Sequence, residues 1–212
     1  MSELLRALGA LAEPSGPATP RLAAALGLPA PLDAAEQADV FLFQLYPYAS
    51  VYLGPEGMIG GEARDRVAGF WRALSLSPPV EADHLTPLLG LYAALAEDGS
   101  ERAGHARQAL LWEHLLSWLP PYLDAVRLSP SAFHQAWAGL LGEVLVAEAE
   151  AFGPPAAVPL ALRHSDPLPD PRQAGGGPFL AGLLTPARCG MILVRDDLVH
   201  AAADLGLGLR RA

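Results

Sequence analysis

The stretch Val80-Glu81-Ala82-Asp83-His84-Leu85-Thr86-Pro87-Leu88-Leu89-Gly90-Leu91-Tyr92 decides the fold. Its second half places Leu85, Leu88, Leu89 and Tyr92 at i, i+3, i+4 and i+7, the spacing that gathers one apolar stripe on an α-helix. Its first half sets two acids and a histidine where that helix begins, and side chains there converge on the unpaired N–H groups of the first turn. With Asp83 as the N-cap, His84 takes the first helical position. The positive end of the helix dipole then favours a neutral ring that donates one hydrogen bond and accepts another. With Thr86 as the cap, Pro87 takes that position, which suits a residue without an N–H, and Asp83 and His84 lie in the preceding loop.

The helical period continues on both sides. Val67, Phe70, Trp71 and Leu74 form a stripe along a helix from Glu62 to Leu74. Asp33 followed by Glu36 resembles a capping box, and Val40, Phe43 and Gln44 then share a face until Pro47 ends that helix. Leu110, Leu111, His114, Leu115, Trp118 and Leu119 form a wider stripe that stops at Pro120-Pro121. Ser129-Pro130 restarts the chain with cap and first-turn chemistry, ahead of Phe133, Trp137, Leu140, Leu141 and Val144. The one strand-like run is Met191 to Val194. This pattern predicts an all-α bundle in a single helical domain over residues 1–152.

Composition changes after that point. Residues 153–178 hold seven prolines and the run Gly175-Gly176-Gly177, which reads as a loop or tether. The C-terminal segment, residues 179–212, contains a short helix that Asp196 can cap, running through Leu198, Ala201, Ala202 and Leu205 to Gly206. So short a helix needs a docking surface, on its own bundle or on a neighbour's.

The chain has 212 residues, enough to bury about 70% of its unfolded surface in one core. Hydrophobic residues make up 51% and mean hydropathy is +0.25, yet charges or prolines interrupt every apolar run before a membrane span of about 18 residues accumulates. Met1-Ser2-Glu3-Leu4-Leu5-Arg6 lacks the basic-then-apolar layout of a secretory signal, so a cytoplasmic location is expected. A lone Cys189 forms no internal disulfide and no metal cluster. There is no lysine, and 14 arginines face 23 acids for a net charge of −9, which argues against nucleic acid and towards cationic partners. His105, Glu113 and His114 are poorly spaced for a metal, since adjacent helical residues point about 100° apart. Glu143, Glu148 and Glu150 read as a solvated helix face. Arg163, His164, Arg172 and Arg188 lie in or beside the tether, where they can neutralise acids on the bundle. No phosphate-cradling Gly-x-x-x-x-Gly-Lys loop is present, and no cofactor is expected.

Several separated elements between roughly Leu32 and Leu128 resemble the TorD/DmsD family of chaperones for molybdenum-containing redox enzymes. They are Phe41-Leu42-Phe43-Gln44-Leu45-Tyr46-Pro47, Ser50-Val51-Tyr52-Leu53, Glu81-Ala82-Asp83-His84 and His114-Leu115-Leu116-Ser117-Trp118-Leu119-Pro120. The chain has Leu42 where that family usually carries an aromatic, and no proline after Glu81. The resemblance implies a non-enzymatic cytoplasmic protein that binds the twin-arginine signal peptide and the apo form of a molybdopterin oxidoreductase, releasing it for export after cofactor insertion. It also admits a nitrate-reductase-type assembly chaperone whose client lacks an export signal, and domain-swapped homodimers.

On this reading the apolar middle of the signal peptide lies against Leu45 and Tyr46, and Glu81, Asp83 and His84 meet its basic start. Three other accounts compete. Asp83 and His84 can be purely structural caps, the same pair can serve a helical hydrolase, or the chain can be a structural subunit of a larger complex.

Overall fold

In the computed structural model, residues 1–14, 16–29, 34–54, 57–163, 167–183 and 190–206 are described. Asp33, His164, Arg188 and Cys189 lie outside them. The fold is all-α, as the periodicity predicts. Its helices are α1 (Ser2–Ala10), α2 (Thr19–Ala25), α3 (Ala34–Ala38), α4 (Ala49–Leu53), α5 (Gly61–Ala73), α6 (Leu85–Asp98), α7 (Glu101–Ala109), α8 (Leu119–Arg127) and α9 (Ala132–Phe152). Beyond them come α10 (Leu160–Arg163), α11 (Pro171–Ala174), α12 (Gly176–Leu183) and α13 (Arg195–Asp204). Residues 153–178 are therefore not loop throughout, since α10, α11 and the start of α12 fall within them.

The leucine stripe of α6 is the centre of the core: Leu85, Leu88 and Leu89 are fully buried and Tyr92 nearly so. Each such leucine contributes about 1.5–3 kcal/mol by leaving water. Helix α1 packs along α6, and Thr86 Oγ donates to the Gly9 carbonyl at 2.7 Å. Glycine eases this close approach, because a Cβ on Gly9 would meet Thr86 Cα at 3.2 Å. Arg6 spans the same pair of helices with two bonds to Glu97, at 2.5 and 2.6 Å. Helix α9 lies beside α8, and its Trp137 indole donates to the Leu8 carbonyl at 2.9 Å. The part-buried Thr86 hydroxyl and the buried Trp137 indole thus find their partners on other helices.

Two turns depart from the α period. Asp39–Gln44 and Leu110–Leu115 are π-helical, closed by i→i+5 bonds from Leu45 N–H to the Val40 carbonyl (2.7 Å) and from Leu116 N–H to the Leu111 carbonyl (2.8 Å). The wider turn rotates the face that a 3.6-residue period assigns. Phe41 is consequently buried, whereas Phe43, expected on the inner face, is 72% exposed.

Three sequence-based boundaries move. Pro120 and Pro121 open α8 rather than ending the chain's helical run, consistent with proline's fit to a first turn. Helix α9 starts at Ala132 after Ser131, two residues beyond the expected Ser129-Pro130 start. Met191–Val194 is irregular backbone rather than strand. Instead Ile192 and Val194 pack against the core ahead of α13, and the Asp197 carboxylate accepts the Val194 N–H at 2.8 Å.

Candidate functional site

The turn at residues 80–84 closes with a bond from His84 N–H to the Glu81 carbonyl at 3.1 Å. It sits between two helix starts, and its last two residues cap one each. The Asp83 carbonyl accepts the Ala49 N–H, and its Oδ2 accepts the Ser50 N–H, both at 3.0 Å, so Asp83 caps α4 from 33 residues away. His84 caps its own helix: it has extended backbone angles, and its Nδ1 accepts the Thr86 N–H at 3.1 Å. The cap of α6 is thus His84, neither Asp83 nor Thr86. A further bond from Leu85 N–H to the Pro47 carbonyl pairs Tyr48 with His84 in a short antiparallel bridge.

This geometry separates the expected residues. Asp83 is fully buried and faces inward, and among the described residues its Oδ1 has no hydrogen-bond partner. Glu81 and Val80 stand at the exposed tip, Val80 being 91% exposed. His84 is 4% exposed at the base of a cleft of about 360 Å³, whose walls are Glu13, Pro79, Val80, Glu81 and Pro87. Glu13, which no local pattern in the sequence marks, brings its Oε1 to 3.5 Å from His84 Nδ1.

The electrostatics follow from burial beside acids. Desolvation lowers the His84 pKa below its ordinary value, against the opposing pull of Glu13, Glu81 and Asp83. A neutral ring accepting at Nδ1 carries its proton on Nε2. The Tyr48 ring meets the His84 ring edge-on, with centroids 4.6 Å apart. Burial and a hydrogen bond to Glu81 raise the Tyr48 pKa, holding the hydroxyl protonated. Two carboxylates at an opening rimmed by proline and valine suit a guanidinium or ammonium group on an otherwise apolar chain. The buried Asp83 carboxylate spends its bond on Ser50 and makes none to His84, so the two do not form the oriented acid–imidazole pair that a hydrolase reading needs.

Leu45 and Tyr46 lie at the far end of the extended strip that leads to Tyr48. Leu45 is 2% exposed, and its carbonyl accepts the Tyr122 hydroxyl at 3.2 Å. It borders a different groove, of about 380 Å³, shared with Val40, Gln44 and Leu128 on one side and with Val194 and Asp196 on the other. The Tyr46 side chain is half-buried, and its carbonyl accepts the Tyr52 hydroxyl at 2.8 Å. The structure therefore brings Glu81 and His84 together with Glu13 and Tyr48, and leaves Leu45 in a neighbouring groove.

Among the described residues, no helix is long and apolar enough to cross a membrane. The family model of the nitrate reductase delta subunit matches residues 9–124, more than half of the chain and a span that includes Glu13, Leu45, Tyr48, Glu81, Asp83 and His84. No curated protein matches it.

Proposed function

We propose that this chain, which belongs to the nitrate reductase delta subunit family and is thereby an assembly chaperone for a molybdoenzyme, captures the basic, apolar signal peptide of its apo client in the cleft around His84. The observation that carries this reading is the convergence of Glu13 and Glu81 on one apolar-rimmed opening. Arginines of a twin-arginine leader meet those two carboxylates, with the His84 ring at the base of the cleft and Tyr48 packed edge-on behind it. The apolar stretch that follows runs past the half-buried Tyr46 and Tyr48, and Leu45 supports that strip from the core. Asp83 acts from behind, by fixing the turn and α4.

Binding of this kind hides the leader and delays export until the molybdenum cofactor is inserted. Contacts at an exposed rim give moderate affinity and permit release without a nucleotide. A non-enzymatic role in the cytoplasm follows from the same reading, with residues 153–178 serving as a tether that allows a domain-swapped dimer.

A second reading is favoured by the family's own description. The client is then a nitrate-reductase-type subunit without an export signal, whose basic N-terminal segment occupies the same cleft. Calorimetric titration with synthetic N-terminal peptides tests both. Binding that needs a paired-arginine motif supports the export reading, binding of a leaderless N-terminus supports the second, and failure of every cationic peptide to bind rejects the cleft as the site.

A further inference from the structure

Three successive carbonyls of the strip that leads to the His84 cleft accept hydrogen bonds from the protein interior. The Tyr122 hydroxyl of α8 donates to the Leu45 carbonyl at 3.2 Å, the Tyr52 hydroxyl of α4 to the Tyr46 carbonyl at 2.8 Å, and the Leu85 N–H of α6 to the Pro47 carbonyl at 2.9 Å. The Tyr46 carbonyl also accepts the Tyr48 N–H at 2.9 Å, which folds the strip into a tight turn. In a regular strand successive residues alternate between faces, so three carbonyls that all turn inward mark a backbone shaped by its partners.

The two phenols belong to one buried cluster. Tyr52 stacks on Trp118, with centroids 5.4 Å apart and an interplanar angle of 5°, and Tyr122 lies 5.4 Å from Tyr52 and 5.2 Å from Trp118. Tyr122 is fully buried, and Tyr52 and Trp118 nearly so. The Trp118 indole donates to the His114 carbonyl at 2.9 Å, which ties the cluster to the π-helical turn at residues 110–115. Burial raises the pKa of both phenols, so each hydroxyl keeps the proton it donates. A phenylalanine at either position would supply the same ring; what the hydroxyl adds is its bond to the strip.

We infer that Tyr52 and Tyr122 are positioning residues for peptide capture, fixing the backbone of residues 45–48 so that the half-buried Tyr46 and Tyr48 are arranged for the apolar part of the ligand before it arrives. This role rests on the reading of the His84 cleft as a peptide site, and adds to it two side chains that touch no ligand. A strip ordered in advance spares binding the entropy of ordering it, which raises affinity without a new contact. The effect is separable from that of Glu13 and Glu81. The carboxylates act on the cations of the peptide, and the tyrosines on the apolar stretch that follows.

The test compares two synthetic peptides, an arginine pair alone and the same pair extended by leucines and alanines, on the full chain as wild type, Tyr52→Phe, Tyr122→Phe and Tyr92→Phe. The last is the control: the Tyr92 hydroxyl donates to Glu148 at 2.6 Å farther along α6, so its loss removes a part-buried bond but none to the strip. Tyr52→Phe and Tyr122→Phe should each weaken the extended peptide about two- to tenfold more than the arginine pair, and Tyr92→Phe should show no such difference. An equal loss for both peptides, the same difference in Tyr92→Phe, or no loss in either strip variant overturns the positioning role. Hydrogen exchange of the ligand-free proteins reads the strip directly: the Tyr48 and Leu85 amides should exchange faster in Tyr52→Phe than in wild type or Tyr92→Phe, and equal protection in all three also overturns it. A wild type that binds neither peptide rejects the cleft reading itself, and the capture role with it, whereas wild-type binding that neither strip variant changes rejects the positioning role alone.

Discussion

The Asp83 carboxylate accepts the Ser50 N–H at 3.0 Å inside the protein, not at its surface. A residue from the turn before α6 thereby fixes the start of α4, so the starts of these two helices are tied by one side chain. Asp83→Ala leaves a buried N–H unpaired, and we expect a loss of roughly 1–3 kcal/mol in urea unfolding. Glu81→Gln, at the exposed tip, should stay within about 0.5 kcal/mol of wild type. Equal stability of the two variants would contradict the capping role.

His84 is an N-cap by virtue of its neutral ring. His84→Ala should cost about 1 kcal/mol, whereas His84→Asn, which retains an acceptor near Thr86 N–H, should recover most of it. Thermal unfolding of the three proteins at pH 7.5 checks this ordering.

Burial holds His114 and His134 down at about 4, from 6.5 in the unfolded chain. Between those values the unfolded chain binds protons that the folded chain refuses, so stability rises with pH. It is complete above about 6.5 and is lost as the pH falls towards 4. Each group contributes roughly 3 kcal/mol in total across that window. His134 is fully buried between Phe41 and Phe133, with both ring nitrogens unpartnered among the described residues. His134→Phe should therefore flatten the dependence without a matching loss at pH 7.5, and urea midpoints at pH 7.5, 5.5 and 4.5 measure it.

Much of this was legible in the sequence because the helical period survives wherever the backbone is α-helical. The stripe of α6, Val67 in α5 and Trp137 with Leu141 in α9 all face the core as read. The period failed at Phe43, where the π turn shifts the phase by one residue. The site was legible only in part. Glu81-Ala82-Asp83-His84 marks its position, but Glu13 arrives from the turn after α1, and no local pattern records that approach. The inward turn of Asp83 depends on the backbone of Ser50, again a contact made only by folding. Short helices among the prolines after α9 carry too little apolar pattern to be read.

Glu13→Gln and Glu81→Gln should each weaken a dicationic peptide roughly two- to fivefold at low salt, with the difference shrinking at high salt as screening removes the attraction. The double variant should show the largest loss. Titrations at two ionic strengths decide it; a loss independent of salt would point to packing instead of charge.

The most direct test is to capture the tagged protein from its native cells and determine the identity, N-terminus and molybdenum content of what it holds, beside the Glu13→Gln/Glu81→Gln variant. The account predicts a cofactor-free molybdoenzyme subunit with an intact N-terminal segment, held by wild type and largely lost from the variant. A mature, molybdenum-loaded enzyme held equally by both proteins would contradict it.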